Sequence, residues 1–222
     1  MEEHHGAAEE DRTDISAVDI ADWRLRTFAL YNNVRKLSLE SPAEAHSYWR
    51  HQRDLMFATH PASPLTTADK ARFSGLKTAD YDPIYRFHIP MTPQGAGRQI
   101  TVETGTDGAV RFVRLGTFDF PEVGQLAVWK LQGYGGGIFV PFRDATAGQP
   151  GGSYGAGRYL LDTIKGAFHG VHGTGPDAPF VLDFNFAYNP SCAYDSKWAC
   201  PLAPPANRLD VPIRAGELTP PS

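Results

Sequence analysis

The stretch that decides the fold reads DFNFAYNPSCAY and occupies residues 183–194. Aromatic and small polar residues alternate along it until Pro190 ends the pattern. Successive side chains of a strand point to opposite faces, so this alternation predicts a strand with two unlike faces. The aromatic face belongs to the core and carries Leu182, Phe184, Phe186 and Tyr188. The opposite face carries Asp183, Asn185, Ala187 and Asn189.

The polar face of this strand has two interpretations. It is either a solvated outer surface or the lining of a polar pocket, in which carboxylate and carboxamide groups orient a small molecule. Asp and Asn are poor strand formers, so folding preference alone does not account for three of them on one face. The pattern favours a pocket in which Asp183 is the candidate catalytic group and Asn185 and Asn189 bind the ligand.

The alternating pattern extends over most of the chain before this stretch. From about residue 80, glycine and proline separate short alternating segments, which is typical of antiparallel β structure. Thr106, Asp107 and Gly108 favour a tight turn between the second and third segments, because Asp-Gly supplies positive φ angles. The seven predicted strands occupy residues 85–91, 99–103, 110–118, 126–132, 138–143, 158–162 and 180–188.

Two helices precede the strands. Apolar residues recur at helical spacing over residues 20–37, with Asp19 available as the N-cap. Ser41, Pro42 and Glu44 then form a second helix start, with a capping hydroxyl, a proline and a glutamate in the favoured order. The polar side of the second helix is predicted to be solvated, and it carries Glu44, His46, Arg50, Arg53 and Asp54.

These elements predict an α+β fold. Two N-terminal helices pack on an antiparallel, mostly closed β-barrel or sandwich of about seven short strands. A length of 222 residues fits one domain of ordinary size. Residues 1–14 are charged and lack periodicity, which predicts a disordered acidic tail. Residues 15–222 are predicted to form a single domain, with helices within 19–57 and a β-rich part within 80–217.

The charge of the chain excludes several classes of partner. The formal net charge is −4, the isoelectric point is about 6.0, and Lys and Arg are scattered. Such a surface does not attract nucleic acid or an anionic membrane. The acidic start is unlike a basic presequence, and no apolar run approaches the length that spans a bilayer. We therefore expect a soluble, cytoplasmic protein with neither nucleic-acid nor membrane partners.

A glycine-rich segment occupies residues 143–159 and is bracketed by Arg143 and Arg158. Glycines let backbone amides approach a ligand, and arginines offer forked donors to a carboxylate or phosphate. The candidate ligand-binding residues here are Arg143, Asp144, Tyr154 and Arg158. The alternative is a long hairpin whose arginines pair with Asp144 and Asp183. A third glycine and a following helix are missing, so this is not a dinucleotide-binding motif.

Cys192 and Cys200 lie in one loop, with seven residues between them. This spacing is wider than that of a zinc knuckle, and no metal site is predicted. The pair is either a disulfide that fixes the loop or two buried thiols, and we treat it as a structural feature. No histidine partner or helix start is evident that would activate either cysteine as a catalytic nucleophile.

Several segments together resemble a known family. They are PFRD at 141–144, YGAGRYL at 154–160, DFNFAYNP at 183–190, CAY at 192–194, CPL at 200–202, NRL at 207–209 and AGE at 215–217. In these the chain is similar to domain of unknown function 1684, a bacterial and archaeal family. The resemblance covers residues 137–217 and implies no particular reaction or cofactor. The segment 165–178, with His169 and His172, departs from the family pattern.

Two hypotheses about function follow. In the first, the polar residues form a site for a small anionic molecule, with Arg143 and Arg158 holding the anion and Asp183 handling a proton. In the second, the chain is a non-catalytic structural or interaction module. The same residues then form a buried network that fixes residues 201–217 across one end of the β structure. The sequence predicts neither a cofactor nor an oligomeric state.

Overall fold

The computed structural model describes residues 15–104, 108–175, 177–198 and 200–220. The predicted tail and the centre of the predicted Asp-Gly turn lie outside the described residues. The helices are α1 (Ala17–Leu37), α2 (Pro42–Thr59) and α3 (Thr67–Arg72). The strands are β1 (Arg86–Ile89), β2 (Gln99–Thr104), β3 (Gly108–Phe120), β4 (Gly124–Leu131), β5 (Ile138–Phe142), β6 (Arg158–Asp162) and β7 (Phe180–Asp183).

Side-chain caps set the starts of the two long helices. Ser16, rather than the predicted Asp19, caps α1: its hydroxyl accepts from the Asp19 amide at 3.1 Å, and the Asp19 carboxylate accepts from the Ser16 amide at 2.9 Å. Ser41 caps α2 as predicted and accepts from the Glu44 amide at 3.3 Å. Among the described residues, no helix is both long and apolar enough to cross a membrane.

The strands form two antiparallel sheets, as expected of an α+β protein. One contains five strands in the order β2-β3-β4-β5-β6, and the other pairs β1 with β7. The predicted closed barrel is not formed by the described strands, because β2 and β6 are edges of the larger sheet. Single bridges at Thr92–Thr117 and Tyr159–Tyr188 connect the segments that follow β1 and β7 to the larger sheet.

The decisive stretch 183–194 departs from its predicted conformation. Strand β7 ends at Asp183, and Phe184–Phe186 form a 3₁₀ turn. The cause is local: the Asp183 carboxylate accepts from the Asn185 amide at 3.0 Å, which satisfies the amide that a strand neighbour would otherwise bind. Both faces of the stretch are buried, so the strict division into an apolar and a polar face does not hold.

The helices contribute to the core. Tyr31 of α1 and Trp49 of α2 pack in one cluster with Trp129, Phe139 and Phe186 from the β part. A second cluster fills the space between the two sheets around Phe118, Phe142 and Phe184. The prediction that the polar side of α2 is solvated is therefore wrong at two positions, because Arg53 is only 7% exposed and His46 only 2%.

A buried histidine gives a test of this packing. His169 lies between Tyr31 and Phe186, at 5.4 and 4.6 Å between ring centres. Burial lowers its pKa to about 3. The unfolded chain binds a proton near pH 6.5 and the folded chain does not, so stability is present above this pH and is lost as the pH falls towards 3.

We expect His169→Phe to flatten the dependence of stability on pH. The wild type should lose about 1.4 kcal/mol more per pH unit than the variant on acidification below pH 6.5. His46, whose pKa burial lowers to about 4, adds to the slope of both proteins. The measurement is urea denaturation at a series of pH values, with exposed His51→Gln as the control. Parallel curves for wild type and His169→Phe would contradict a buried, neutral imidazole.

Candidate functional site

A cavity of about 300 Å³ lies between the two long helices and the loop that follows β7. Its wall includes residues of α1 and α2, of β6 with the turn after it, and of the loop at 188–200. Aromatic rings are frequent in it: Trp23, Tyr31, Phe57, Tyr159, Tyr188, Tyr194 and Trp198. Such a wall offers flat apolar surfaces on which a ring or conjugated group can stack.

The charged groups of the wall are all basic. Arg24, Arg53 and Lys165 line the cavity, and none of the aspartates and glutamates that the structure describes does. Glu217 pairs with Arg53, so Arg24 and Lys165 supply the excess positive charge. Neither of these two forms an ion pair with a residue in the described part of the chain. The described charged side chains therefore give the cavity wall an excess of positive charge.

Arg53 is fixed within the wall. Its Nε and Nη2 donate to Glu217 Oε1 at 2.8 and 2.5 Å, and its Cζ lies 5.0–5.1 Å from the rings of Trp49, Phe57 and Tyr188. Burial lowers the pKa of Arg53, but the Glu217 carboxylate together with Tyr194 and Tyr31 outweighs this and raises it above the usual value. Nη1 has no acceptor among the described residues, which leaves one planar donor for a ligand.

Glu217 joins this arginine to the loop after β7. Its second oxygen, Oε2, accepts from the Asn189 amide at 2.8 Å and from the Tyr194 hydroxyl at 2.9 Å. The preceding Gly216 has φ +78°, and a Cβ there would lie 2.6 Å from the Ala187 carbonyl oxygen. Only glycine lets the backbone at residue 216 come this close to Ala187, and this approach places the Glu217 carboxylate beside Arg53.

Two residues of the wall each carry a buried polar atom that has no partner among the described residues. Asn189 Oδ1 and Trp198 Nε1 are buried without a hydrogen bond to any described residue, and Asn189 is only 3% exposed. The Asn189 Nδ2 donates to the Leu218 carbonyl at 2.8 Å, which fixes the side-chain amide. Buried polar atoms rarely stay unpaired, so an acceptor and a donor in one cavity wall favour a polar ligand.

A buried carboxyl group lies behind the wall. Tyr188, which lines the cavity, donates its hydroxyl to Asp162 Oδ2 at 3.1 Å. Asp162 Oδ1 accepts from the amides of Ile164 and Lys165 at 3.1 and 3.2 Å. Burial raises the pKa of Asp162, against the opposing effects of Lys165 and Tyr188. The turn that follows β6 is thereby fixed, and it holds Lys165 at the cavity.

The two cysteines are free thiols and lie together. Cys200 lines the cavity, and the Cys192 amide donates to its sulfur at 3.4 Å. A hydrogen bond from the Cys192 thiol lowers the pKa of Cys200 to about 6, against the opposing effect of burial. The hydrogen bond to Cys200 also raises the pKa of Cys192. The 3₁₀ turn Ser191–Ala193 thus supplies the activation for which the sequence showed no signal.

The predicted anion-binding arginine Arg158 lies elsewhere. It is buried and pairs with Asp144 at 3.2 Å, rather than lying beside Asp183. Its guanidinium also donates to the carbonyls of Ala215, Ile213 (3.0 Å) and Glu217 (3.1 Å). Burial raises the pKa of Asp144, but Arg158 together with the hydrogen bonds from Ser153, Ile213 and Thr146 outweighs this and holds it below the usual value. This network ties the C-terminal segment to β6.

The candidate catalytic Asp183 is also enclosed. Its oxygens accept from Arg86 Nη1 at 2.9 Å and from the backbone and side-chain nitrogens of Asn185 at 3.0 and 2.8 Å. Asn185 in turn binds the backbone of Asp82 through both its side-chain oxygen and nitrogen. Burial raises the pKa of Asp183, opposed by Arg86 and Asn185. All of these contacts are internal, and they shape the turn after β7.

The structure divides the predicted ligand set. Asn189 lines the cavity, whereas the others lie outside its wall: Arg143, Asp144, Tyr154, Arg158, Asp183 and Asn185. Arg143 is exposed, and Tyr154 donates its hydroxyl to the Cys192 carbonyl at 3.4 Å. The predicted set therefore does not form one site.

Comparison with known proteins places the chain in a family. The family described as "Protein of unknown function (DUF1684)" matches residues 71–218. The chain belongs to the DUF1684 family. It is similar to an uncharacterized protein of Haloarcula marismortui solved by solution NMR, at 33% identity and TM-score 0.54. That match covers 76% of this chain and 89% of the other. No curated protein matches this chain.

The DUF1684 match begins after the residues that form half of the cavity. Trp23, Tyr31, Arg53 and Phe57 lie on α1 and α2, before residue 71. Sequence analysis missed them as site residues because helical periodicity does not distinguish a buried arginine from a solvated one. It missed Lys165 and Cys200 because their proximity depends on the fold. The sequence contains one signal that Arg53 is not solvated. No aspartate or glutamate stands three or four positions from it, where a surface arginine of a helix would find an ion-pair partner.

Proposed function

We propose that this DUF1684 protein binds a small anionic molecule with a flat, conjugated portion in the cavity between α1, α2 and the loop at 188–200. The observation that carries the proposal is the composition of the wall, in which the described residues combine aromatic rings with three basic side chains and no carboxylate. A volume of about 300 Å³ is at the lower end of the range for ligand pockets, which favours a molecule of metabolite size.

The contacts suggest how such a molecule is held. Arg53 offers Nη1 from a rigid position, and Lys165 and Arg24 add charges that attract an anion. Asn189 and Trp198, whose Oδ1 and Nε1 are buried without a partner among the described residues, are also part of the wall. The aromatic rings then cover the conjugated part of the molecule.

The buried network around Arg158 favours a second role for other residues. It holds the carbonyls of Ile213, Ala215 and Glu217 and so supports the hypothesis of a structural network that fixes the C-terminal segment. The two roles are compatible, because the network positions Glu217 and Glu217 positions Arg53.

Thermal-shift measurement with matched probes tests the ligand class. We expect 4-hydroxybenzoate and phenyl phosphate to raise the melting temperature more than benzyl alcohol, which lacks the charge, and acetate, which lacks the ring. A probe at about 100 times its dissociation constant should add about 2.7 kcal/mol of stability. Equal shifts for the charged and neutral ring compounds would contradict the proposal.

Lys165→Gln should weaken the binding of the charged probes without changing the fold. Removing one solvent-facing charge from the cavity is expected to raise the dissociation constant roughly fivefold, equivalent to about 1 kcal/mol. Lys130→Gln is the matched control, because Lys130 is exposed on β4 and does not line the cavity. Isothermal titration of both variants with phenyl phosphate gives the comparison, and identical affinities would argue against an anion site at Lys165.

A further inference from the structure

Cys192 and Cys200 lie together as two free thiols. Both side chains are partly exposed, and Cys200 is in the wall of the cavity. The loop that carries them folds back so that the Cys192 amide donates to the Cys200 sulfur at 3.4 Å. Among the described residues, no cluster of three or more His, Cys, Asp or Glu side chains that could hold a metal ion occurs.

The surroundings make the two sulfurs unequal. The titratable groups that influence Cys200 are Cys192, Tyr154, Tyr159 and Lys165. The Cys192 thiol, the amides of Cys192 and Ser191 and the charge of Lys165 all favour the Cys200 thiolate. Cys192 keeps its proton. A stabilised thiolate in a cavity beside a protonated thiol is the arrangement of a nucleophile and a resolving cysteine.

We propose that Cys200 and Cys192 form a two-electron redox pair that reduces a low-molecular-weight anionic disulfide in the cavity, with Cys200 as the nucleophile. The choice of an anionic substrate rests on the proposed function, whereas the redox chemistry of the pair does not.

The reaction has two steps. The Cys200 thiolate attacks one sulfur of the substrate, so that a mixed disulfide forms, the substrate S–S bond breaks and one thiolate leaves with the electron pair. The Cys192 thiol then loses its proton to solvent and attacks the Cys200 sulfur, which releases the second thiolate and leaves a Cys192–Cys200 disulfide. The dithiol loses two electrons and the substrate gains them. A second dithiol restores the reduced pair by the reverse exchange.

Two chromogenic disulfides test this chemistry in the full chain. With neutral 4,4′-dithiodipyridine, the wild type should release two equivalents of pyridinethione and carry no adduct by mass spectrometry. Cys192→Ser should release one equivalent and retain a mixed disulfide on Cys200. Cys200→Ser should react roughly tenfold more slowly, because burial still raises the pKa of the remaining Cys192 thiol, and Cys192 is not part of the cavity wall.

Three outcomes would overturn the redox pair. They are a stable adduct on each cysteine of the wild type, modification of Cys192 before Cys200, or equal rates in the two serine variants. The dependence on pH gives a further criterion. The rate should be half-maximal near pH 6 in the wild type, whereas an unperturbed thiol titrates near 8.5. A half-maximum near 8.5 in the wild type would also contradict the proposal.

The anionic reagent separates this inference from the proposed function. The carboxylates of 5,5′-dithiobis(2-nitrobenzoate) should accelerate the first step, and Lys165→Gln should remove part of this advantage while Lys130→Gln does not. The reaction with neutral 4,4′-dithiodipyridine tests the redox pair independently of the anion site. Release of the expected two equivalents by the neutral reagent, with the anionic reagent reacting no faster with the wild type than with Lys165→Gln, would support the redox pair and contradict the anion site.

Discussion

Replacing Arg158 by alanine is expected to lower the free energy of unfolding by about 3–5 kcal/mol. The substitution leaves Asp144 buried without a counter-charge, since both side chains of the pair are almost completely buried. It also removes the donor for three carbonyls of the C-terminal segment, at Ile213, Ala215 and Glu217. A shift of the urea midpoint with an unchanged slope measures the loss.

Two further variants show whether geometry or charge is responsible. Arg158→Lys keeps the charge but cannot bind the carboxylate and several carbonyls at once, so its loss should be intermediate. Arg143→Ala is the matched control, because this side chain is exposed and only the Arg143 backbone binds, to Asn207 and Leu209. It should change stability by less than about 0.5 kcal/mol. Equal effects of Arg143→Ala and Arg158→Ala would contradict the buried network.

Glu217→Gln is expected to cost a comparable amount, about 3–5 kcal/mol, and to abolish binding in the cavity. The carboxylate is completely buried and accepts from Arg53, from the Asn189 amide and from the Tyr194 hydroxyl. In Glu217→Gln an amide nitrogen replaces one carboxylate oxygen, so a donor faces the groups that donated to that oxygen. The charge of Arg53 then has no partner, and its guanidinium loses the position from which it meets a ligand.

A double-mutant cycle with Arg53→Met identifies the interaction. If the cost arises from the uncompensated charge, Arg53→Met with Glu217→Gln should be less destabilised than the sum of the single variants, by about 0.5–3 kcal/mol. Asp210→Asn is the control, since Asp210 is exposed and its contact with Arg208 is 3.6 Å long. Additive single effects would show that the two residues act independently.

The sequence predicts those parts of the fold that depend on local pattern. Alternation with glycine and proline located the seven strands, and Ser41 with Pro42 located the start of α2. The turn after Asp183 was mispredicted because its cause is one side-chain to backbone hydrogen bond, which competes with the alternating pattern. The motifs around residues 141–217 also identified the DUF1684 family correctly.

The site depends on contacts between distant parts of the chain, and local pattern does not reveal them. Arg53 has the sequence context of a solvated helix residue, and its burial is possible only because Glu217 reaches it across the fold. Lys165 and Cys200 meet at the cavity through a turn and a loop that are unrelated in sequence. Arg158 was predicted to bind an anion because of its charge. Its partners are mostly backbone carbonyls, which every residue carries, so the sequence does not identify them.

The ion pair of Arg53 and Glu217 also constrains how the protein is made. The two residues are 164 positions apart, so α2 leaves the ribosome long before its partner exists. At about 5–20 residues per second, the delay is roughly 8–33 s. During this time α2 lacks the carboxylate, and until β6 (Arg158–Asp162) is made it also lacks the complete larger sheet. Contacts of such long range slow folding, because the loop between them must be closed first. The cavity is thus among the last features of the molecule to form, and a nascent chain that stops short of residue 217 leaves an unpaired guanidinium on an apolar helix face for chaperones to cover.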